Sequence, residues 1–353
     1  MMKTFRVILL IMMALAFIQA SAKRHKHHAQ SVVWESSGLD GVHVNNIFHA
    51  NNGDDYVVNN TRFIYYHANN TAVDSWKEID AGSIAMQIPT QDVIRIQAIY
   101  VYSNLMLAGV GSYGLFASFD QGKTWKSTKE DFLFFNDNES NIAGFVNSQS
   151  HKLVVFLQSS AVLKRAMIDI NNLNEVVNIS WQDISPVSYS GYSHLQFLNN
   201  KIYVNSLYPF HNGMIFVTED YGNTWQHITI NAPEISEVTN ATVYQLYITK
   251  ENTFYAATNY GVYKSLHGLN WHLIGFKNKV VECLSMLKGI LHIAVYGDGM
   301  YSSSDDGVHW SYDNNMAINK NKPQSGNIEY YSLGVYGSNM ILGTSVGLYH
   351  YSG

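Results

Sequence analysis

The sequence predicts an all-β chain closed as a seven-bladed β-propeller, and three observations carry that prediction. The seven tryptophans, Trp34, Trp76, Trp125, Trp181, Trp225, Trp271 and Trp310, recur at spacings of 42, 49, 56, 44, 46 and 39 residues. Between them, short β-branched and aromatic runs alternate with Gly-containing loops, and no segment holds a helical period over three turns. The last run stops before its turn and tryptophan, whereas the first tryptophan has no strands before it. A unit of roughly 47 residues suits one four-stranded blade.

Residues 1–22 read as a cleavable signal peptide. Lys3 and Arg6 form a positive start, Val7–Phe17 is an apolar run too short to span a bilayer comfortably, and Ala20-Ser21-Ala22 is a small-x-small cleavage site. Residues 23–30 (KRHKHHAQ) read as a flexible, basic, His-rich lead; His25, His27 and His28 are not taken as a metal site. Residues 31–353 are expected to form a single propeller. Ser31-Val32-Val33-Trp34 offers an orphan outer strand, and Asn339–Gly353 lacks one. Joining them completes the seventh blade and hides two sheet edges.

Four units align well. They are Asn104–Trp125, Lys201–Trp225, Asn252–Trp271 and Gly289–Trp310. Each is a β-rich run, a short loop, a second run and a tight turn into tryptophan. Two of the turns match S-x-D-x-G-x-x-W, with Asp120, Gly122 and Trp125 in one and Asp305, Gly307 and Trp310 in the other. A third, with Asp220, Gly222 and Trp225, has Thr for Ser. The chemistry is local: the carboxylate accepts from turn N–H groups, Gly supplies positive φ, and Trp packs between sheets. Near Trp271 the Asp position holds Leu266, although Gly268 remains. This pattern resembles the Asp-box (BNR) repeat of sialidases, sortilin-type receptors, xyloglucanases and photosystem II assembly factors.

Composition narrows the function. Charged residues make up 14% of the chain, against about 25% in a typical domain, which excludes disorder and coiled coil. Without residues 1–22 the chain keeps 20 Lys+Arg against 27 Asp+Glu. That balance argues against nucleic acid or an anionic membrane as the main partner. The single cysteine, Cys283, permits no internal disulfide and sits in an apolar run, so it reads as a buried thiol. The expectation is a secreted or periplasmic monomer without a metal or cofactor. No Walker loop, nucleophile elbow, HExxH or zinc spacing occurs.

The resemblance makes the Asp-box aspartates structural and places binding on the opposite face. That face comprises the start of each innermost strand and the loop between the second and third strands. The innermost strands are expected near 44–48, 93–99, 142–146, 192–197, 242–247, 280–286 and 328–333. Polar residues on them include Arg95, His194, Gln196, Gln245, Glu282 and Glu329. The loops add Tyr113, Tyr208, Phe210, His211, Tyr260, Tyr296 and Asp298. Aromatics and amides around a depression suit a protein or glycan ligand. The rival reading is a glycoside hydrolase of the sialidase-like group, with Glu282, Tyr330 and Asp298 as the catalytic set. Resemblance to sialidases demands three convergent arginines, so Arg62, Arg95 and Arg165 would all have to meet.

Overall fold

The computed structural model describes residues 32–89, 92–128, 141–147, 149–158, 162–187, 192–198, 200–206, 213–236 and 241–352. The expected signal peptide and basic lead lie outside them. Residues Val33–Gly353 form one compact unit. Among the described residues, the strands make seven four-stranded antiparallel sheets arranged as a seven-bladed propeller. Blades 1 to 6 span residues 46–80, 96–127, 141–183, 192–229, 243–275 and 281–312. Blade 7 spans residues 330–352 and borrows its outermost strand, Glu35–Ser36, from the N-terminal side.

Closure is made by pairing Glu35 with His350 and Ser36 with Tyr349. The Ser37 amide extends the ladder by donating to the Leu348 carbonyl at 2.9 Å. Trp34 is almost wholly buried at 1% exposure, and its indole N–H donates to the Asp313 carboxylate at 3.2 Å. Blade 7 is thereby tied to the tail of blade 6.

The first strands of successive blades touch one another all the way round, blade 7 to blade 1 included, so they line the axis. Each sheet is covered on both faces by its neighbours, which explains why Leu105–Val110 is buried at every position instead of alternating. The core is therefore layered between blades. Ile99, Met106, Phe116 and Trp125 join a layer with Ile64 of blade 1, and Tyr100 and Leu107 one with Leu153 and Val155 of blade 3. Tyr255 and Val262 of blade 5 meet Leu284 and Ile293 of blade 6.

Every tryptophan stands at the start of an outermost strand or just before it. Four bridge backwards to the outer edge of the preceding blade: Trp34 to Asp313, Trp76 to the Ser37 carbonyl, Trp225 to that of Ile184, and Trp310 to that of Ile274. Trp125 and Trp271 instead donate to their own turn glycines, Gly122 and Gly268. One indole per blade is thus a mortar between sheets, with its donor satisfied in six of the seven; the buried Trp181 indole N–H has no hydrogen-bond partner among the described residues.

The turns between third and fourth strands are closed hydrogen-bond systems. Asp120 Oδ1 accepts from the Ser118 hydroxyl and the Thr124 amide, both at 2.9 Å, and Oδ2 accepts from the Thr124 hydroxyl at 2.6 Å. Asp220 repeats this with Thr218 and Thr224, and Asp305 with Ser303 and His309. The Thr124 side chain and amide hold the Asp120 carboxyl down at about 2, and the Thr224 amide and side chain do the same for Asp220. Gly122, Gly222 and Gly307 adopt φ of 82°, 89° and 88°. A Cβ there would lie 2.5 to 2.7 Å from Ile79, Ile184 or Ile274 on the preceding blade. Glycine is therefore required twice over, by backbone conformation and by blade contact.

The innermost ladders begin up to three residues later than the apolar pattern suggests for blades 1, 2, 5, 6 and 7. Val44 and Ile94 are buried yet precede the first cross-strand pair, because hydrophobicity reports burial and not pairing.

Candidate functional site

The innermost strands start on one face and the third-to-fourth-strand turns lie on the other. At the starting face the ladders are interrupted. One residue falls out of register between Ile96 and Ala98, Ser193 and Leu195, Val243 and Gln245, Val281 and Cys283, and Tyr330 and Ser332. The skipped residues are Gln97, His194, Tyr244, Glu282 and Tyr331. A bulge leaves its extra residue unpaired and re-aims its side chain. Tyr244, Glu282 and Tyr331, from three successive blades, all line one cavity.

That cavity follows the axis and has a volume of about 640 Å³. Asn45, Asn141, Glu329 and Tyr330 lie at its starting-face end, and Phe197, Tyr247 and Tyr336 towards the ends of their strands. The Asn46 amide donates to Asn141 Oδ1 at 3.4 Å, linking blades 1 and 3 past blade 2. Gln245 ties three blades together: its Nε2 donates to the Leu333 carbonyl at 3.2 Å, and its Oε1 accepts from the Leu284 amide at 3.1 Å.

Glu282 is the electrostatic centre. Its Oε2 accepts from the Tyr330 amide at 3.0 Å, joining blade 6 to blade 7. Burial pushes its carboxyl up to about 7, against the pull of that amide and with help from nearby Glu329. Glu329 is exposed and accepts from the Tyr331 hydroxyl. The Tyr331 ring packs on His43 at a tilt of 31° with centroids 4.9 Å apart, and burial lowers the His43 pKa although Glu329 opposes it. Tyr330 is 5% exposed, and burial first, then its ionisable neighbours, hold its phenol protonated.

Tyr330 also borders a second pocket of about 280 Å³ between blades 6 and 7, whose lining includes Asp298, Tyr312 and Lys322. There Asp298 accepts from Lys279 Nζ at 3.0 Å. Glu282 and Asp298 thus lie in two different pockets that share Tyr330. The arginines stand apart. Arg62 pairs with Asp80 at 3.1 Å, and Arg95 is exposed. Arg165, on the third strand of blade 3, donates to the Tyr221 carbonyl at 2.6 Å and to Gln182 and Asn223, beneath the turn of blade 4. None of the three lines the axial cavity.

Of the other candidates, Tyr296 is 43% exposed on the starting face, and Tyr260 is half-buried against the layer between blades 4 and 5. Tyr113 donates to Asp92. Tyr208, Phe210, His211 and the side chain of His194 lie outside the described residues. Tyr244 and Tyr331 were not singled out by sequence, because no residue type marks these bulges. The turn residues Asp120, Asp220 and Asp305 all lie on the opposite face, fully engaged in their own turns. Among the described residues, no group of three or more His, Cys, Asp or Glu is placed to hold a metal, and no helix is long and apolar enough to cross a membrane.

Comparison with known proteins supports the architecture. A family profile described as the DUF6242 beta propeller domain matches residues 179–342. The search of curated proteins finds no match. Among solved structures, YCF48 bound to a D1 peptide is similar over 91% of this chain and 97% of its own, with a TM-score of 0.63 and 12% identity. PorZ, a bacterial surface component of the type-IX secretion system of Porphyromonas gingivalis, gives 0.59 and 14%, covering 89% of this chain and 46% of its own. The GH74 xyloglucanase from Xanthomonas campestris gives 0.60 and 14%, covering 90% and 53%. At these identities the likeness is one of fold.

Proposed function

We propose that this chain is an exported, non-enzymatic propeller that binds a protein or glycan on the face opposite its Asp-box turns. Residues 1–22 direct export, residues 23–30 form a basic lead, and the remainder folds as one monomeric domain that ends up secreted or periplasmic. The turns holding Asp120, Asp220 and Asp305 are Asp boxes that fasten each blade to the one before. One observation carries the binding reading: bulges in three successive blades bring Tyr244, Glu282 and Tyr331 into one axial cavity. Arg95, His194, Tyr208, His211, Tyr260, Tyr296 and Glu329 are the proposed ligand contacts. YCF48, a structure of similar fold, is described with a bound peptide, which is compatible with a protein ligand here.

A second reading, glycoside hydrolysis, has one observation in its favour. Glu282 sits near 7, a value suited to a general acid, beside Tyr330. The dispersed arginines weigh against a sialidase form of it. The two readings separate on a panel of fluorogenic glycosides together with glycan-array and pull-down binding. The binding reading expects no turnover, and binding that weakens in Tyr260→Ala and Tyr296→Ala. Turnover that disappears in Glu282→Gln would establish the enzyme instead.

A further inference from the structure

The charges lining the axial cavity are out of balance. Among the described residues its lining contains two carboxylates, Glu282 and Glu329, and no Lys, Arg or His. Two of its amide donors are engaged within the protein. Asn46 Nδ2 is given to Asn141, and Gln245 Nε2 to the Leu333 carbonyl. The acceptors are left open. Glu282 Oε2 takes one backbone amide, and Oε1 accepts no hydrogen bond from the described residues. Gln196 Oε1, also in the lining, is buried and accepts none.

A partly buried carboxylate facing no cation holds its proton to higher pH, and a cation that arrives can take that proton's place. The fold interrupts the blade 6 ladder to aim this side chain at the axis. Tyr244, Tyr330 and Tyr331 surround it with rings against which an ammonium, a guanidinium or its alkyl stem can pack. A neutral sugar would leave the charge of these two carboxylates uncompensated, whereas a cationic side chain would neutralise it.

We propose that the axial cavity receives one lysine or arginine side chain from an extended segment of a protein partner, seated between Glu282 and Glu329. The proposal rests on the reading of this face as the binding face and commits it to a basic peptide instead of a glycan. Its pH behaviour follows from the surrounding groups: Glu329, Tyr330, Tyr331 and His43 beside Glu282, and the Lys279–Asp298 pair beyond Tyr330. A cation requires the ionised carboxylate, so binding at slightly acid pH must release a proton, and affinity rises with pH through about 7, where Glu282 is half ionised, before levelling off above it.

The test is selection of a random peptide library on the immobilised full chain, followed by calorimetry of the selected peptides against the wild type and Glu282→Gln. Free lysine amide and a set of neutral oligosaccharides serve as the other probes. The expected result is enrichment of Lys or Arg at one position. Replacing that residue by norleucine, or Glu282 by Gln, should then weaken binding by about tenfold or more. Free lysine amide should bind far more weakly than the peptide, and proton release should appear as a buffer-dependent heat. Circular dichroism and melting of Glu282→Gln show that the variant is folded. Selected peptides lacking Lys and Arg, peptides binding both proteins equally, or no selection at all would overturn the cation. Oligosaccharide binding abolished by Tyr296→Ala would overturn it while leaving the binding face standing; no binding of any probe would count against both.

Discussion

The two rims of this propeller use carboxylates in opposite ways. On the turn rim, Asp120 and Asp220 each have both oxygens filled by donors within four residues, and their pKa values fall. On the starting rim, Glu282 receives one backbone amide from the next blade, and its pKa rises. The acid residues that look most like a motif are therefore cross-braces, and the one that belongs to no motif is left open to a ligand. A recurring carboxylate with saturated oxygens holds structure; a unique one with an unfilled oxygen in a cavity is available for chemistry or binding.

The largest effect should come from unfastening the ring itself. Deleting residues 31–37 removes Trp34 and the strand that completes blade 7. The loss should exceed the ~3–5 kcal/mol of a buried tryptophan truncation, read as a sharp fall in the calorimetric melting point. An unchanged melting point would refute the splice. Next comes the turn rim. Gly222→Ala forces a left-handed backbone on alanine and drives Cβ towards Ile184, 2.7 Å away. The expected destabilisation is about 2–4 kcal/mol in chemical denaturation.

Glu282→Gln sharpens the contrast, because it should stabilise. The folded carboxyl ionises near 7 and the unfolded one near 4.5. The folded state thus holds an extra proton between those values, and stability declines as pH rises through that window. The variant should gain about 2 kcal/mol at about pH 8, allowing for partial exposure, and almost nothing at about pH 4. Asp220→Asn should behave oppositely and more weakly. Its lowered pKa contributes stability above the ordinary value of 3.8 that is lost as pH falls towards 2. The variant should therefore show a shallower acid-unfolding curve by circular dichroism, with binding unaffected at neutral pH.

The architecture was legible in the sequence because its determinants are local. A glycine at positive φ followed by tryptophan announces four of the turns, even where Leu266 replaces the aspartate, since His267 and Gly268 keep φ of 60° and 72°. The closing strand was legible because Trp34 had no blade of its own. The site was less so. Glu282 could be placed on an innermost strand from Val280-Val281-Glu282-Cys283, but nothing there signals a bulge. The same is true of Tyr244 in Val243-Tyr244-Gln245 and of Tyr331 in Tyr330-Tyr331-Ser332. Each bulge sits near the start of its innermost strand, where the alternating apolar pattern carries no mark of the extra residue. Nor does sequence reveal that Gln245 is occupied by two other blades while Gln196 Oε1 is left open.

The most direct trial of this division of labour places Asp220→Asn and Glu282→Gln side by side against peptides selected on the wild-type chain, measuring affinity at neutral pH by calorimetry. Asp220→Asn should bind as the wild type does, and Glu282→Gln should lose about tenfold or more while melting no earlier. Undiminished binding by Glu282→Gln would remove it from the site, and loss in Asp220→Asn with its fold intact would place a functional carboxylate on the turn rim; either would contradict the account.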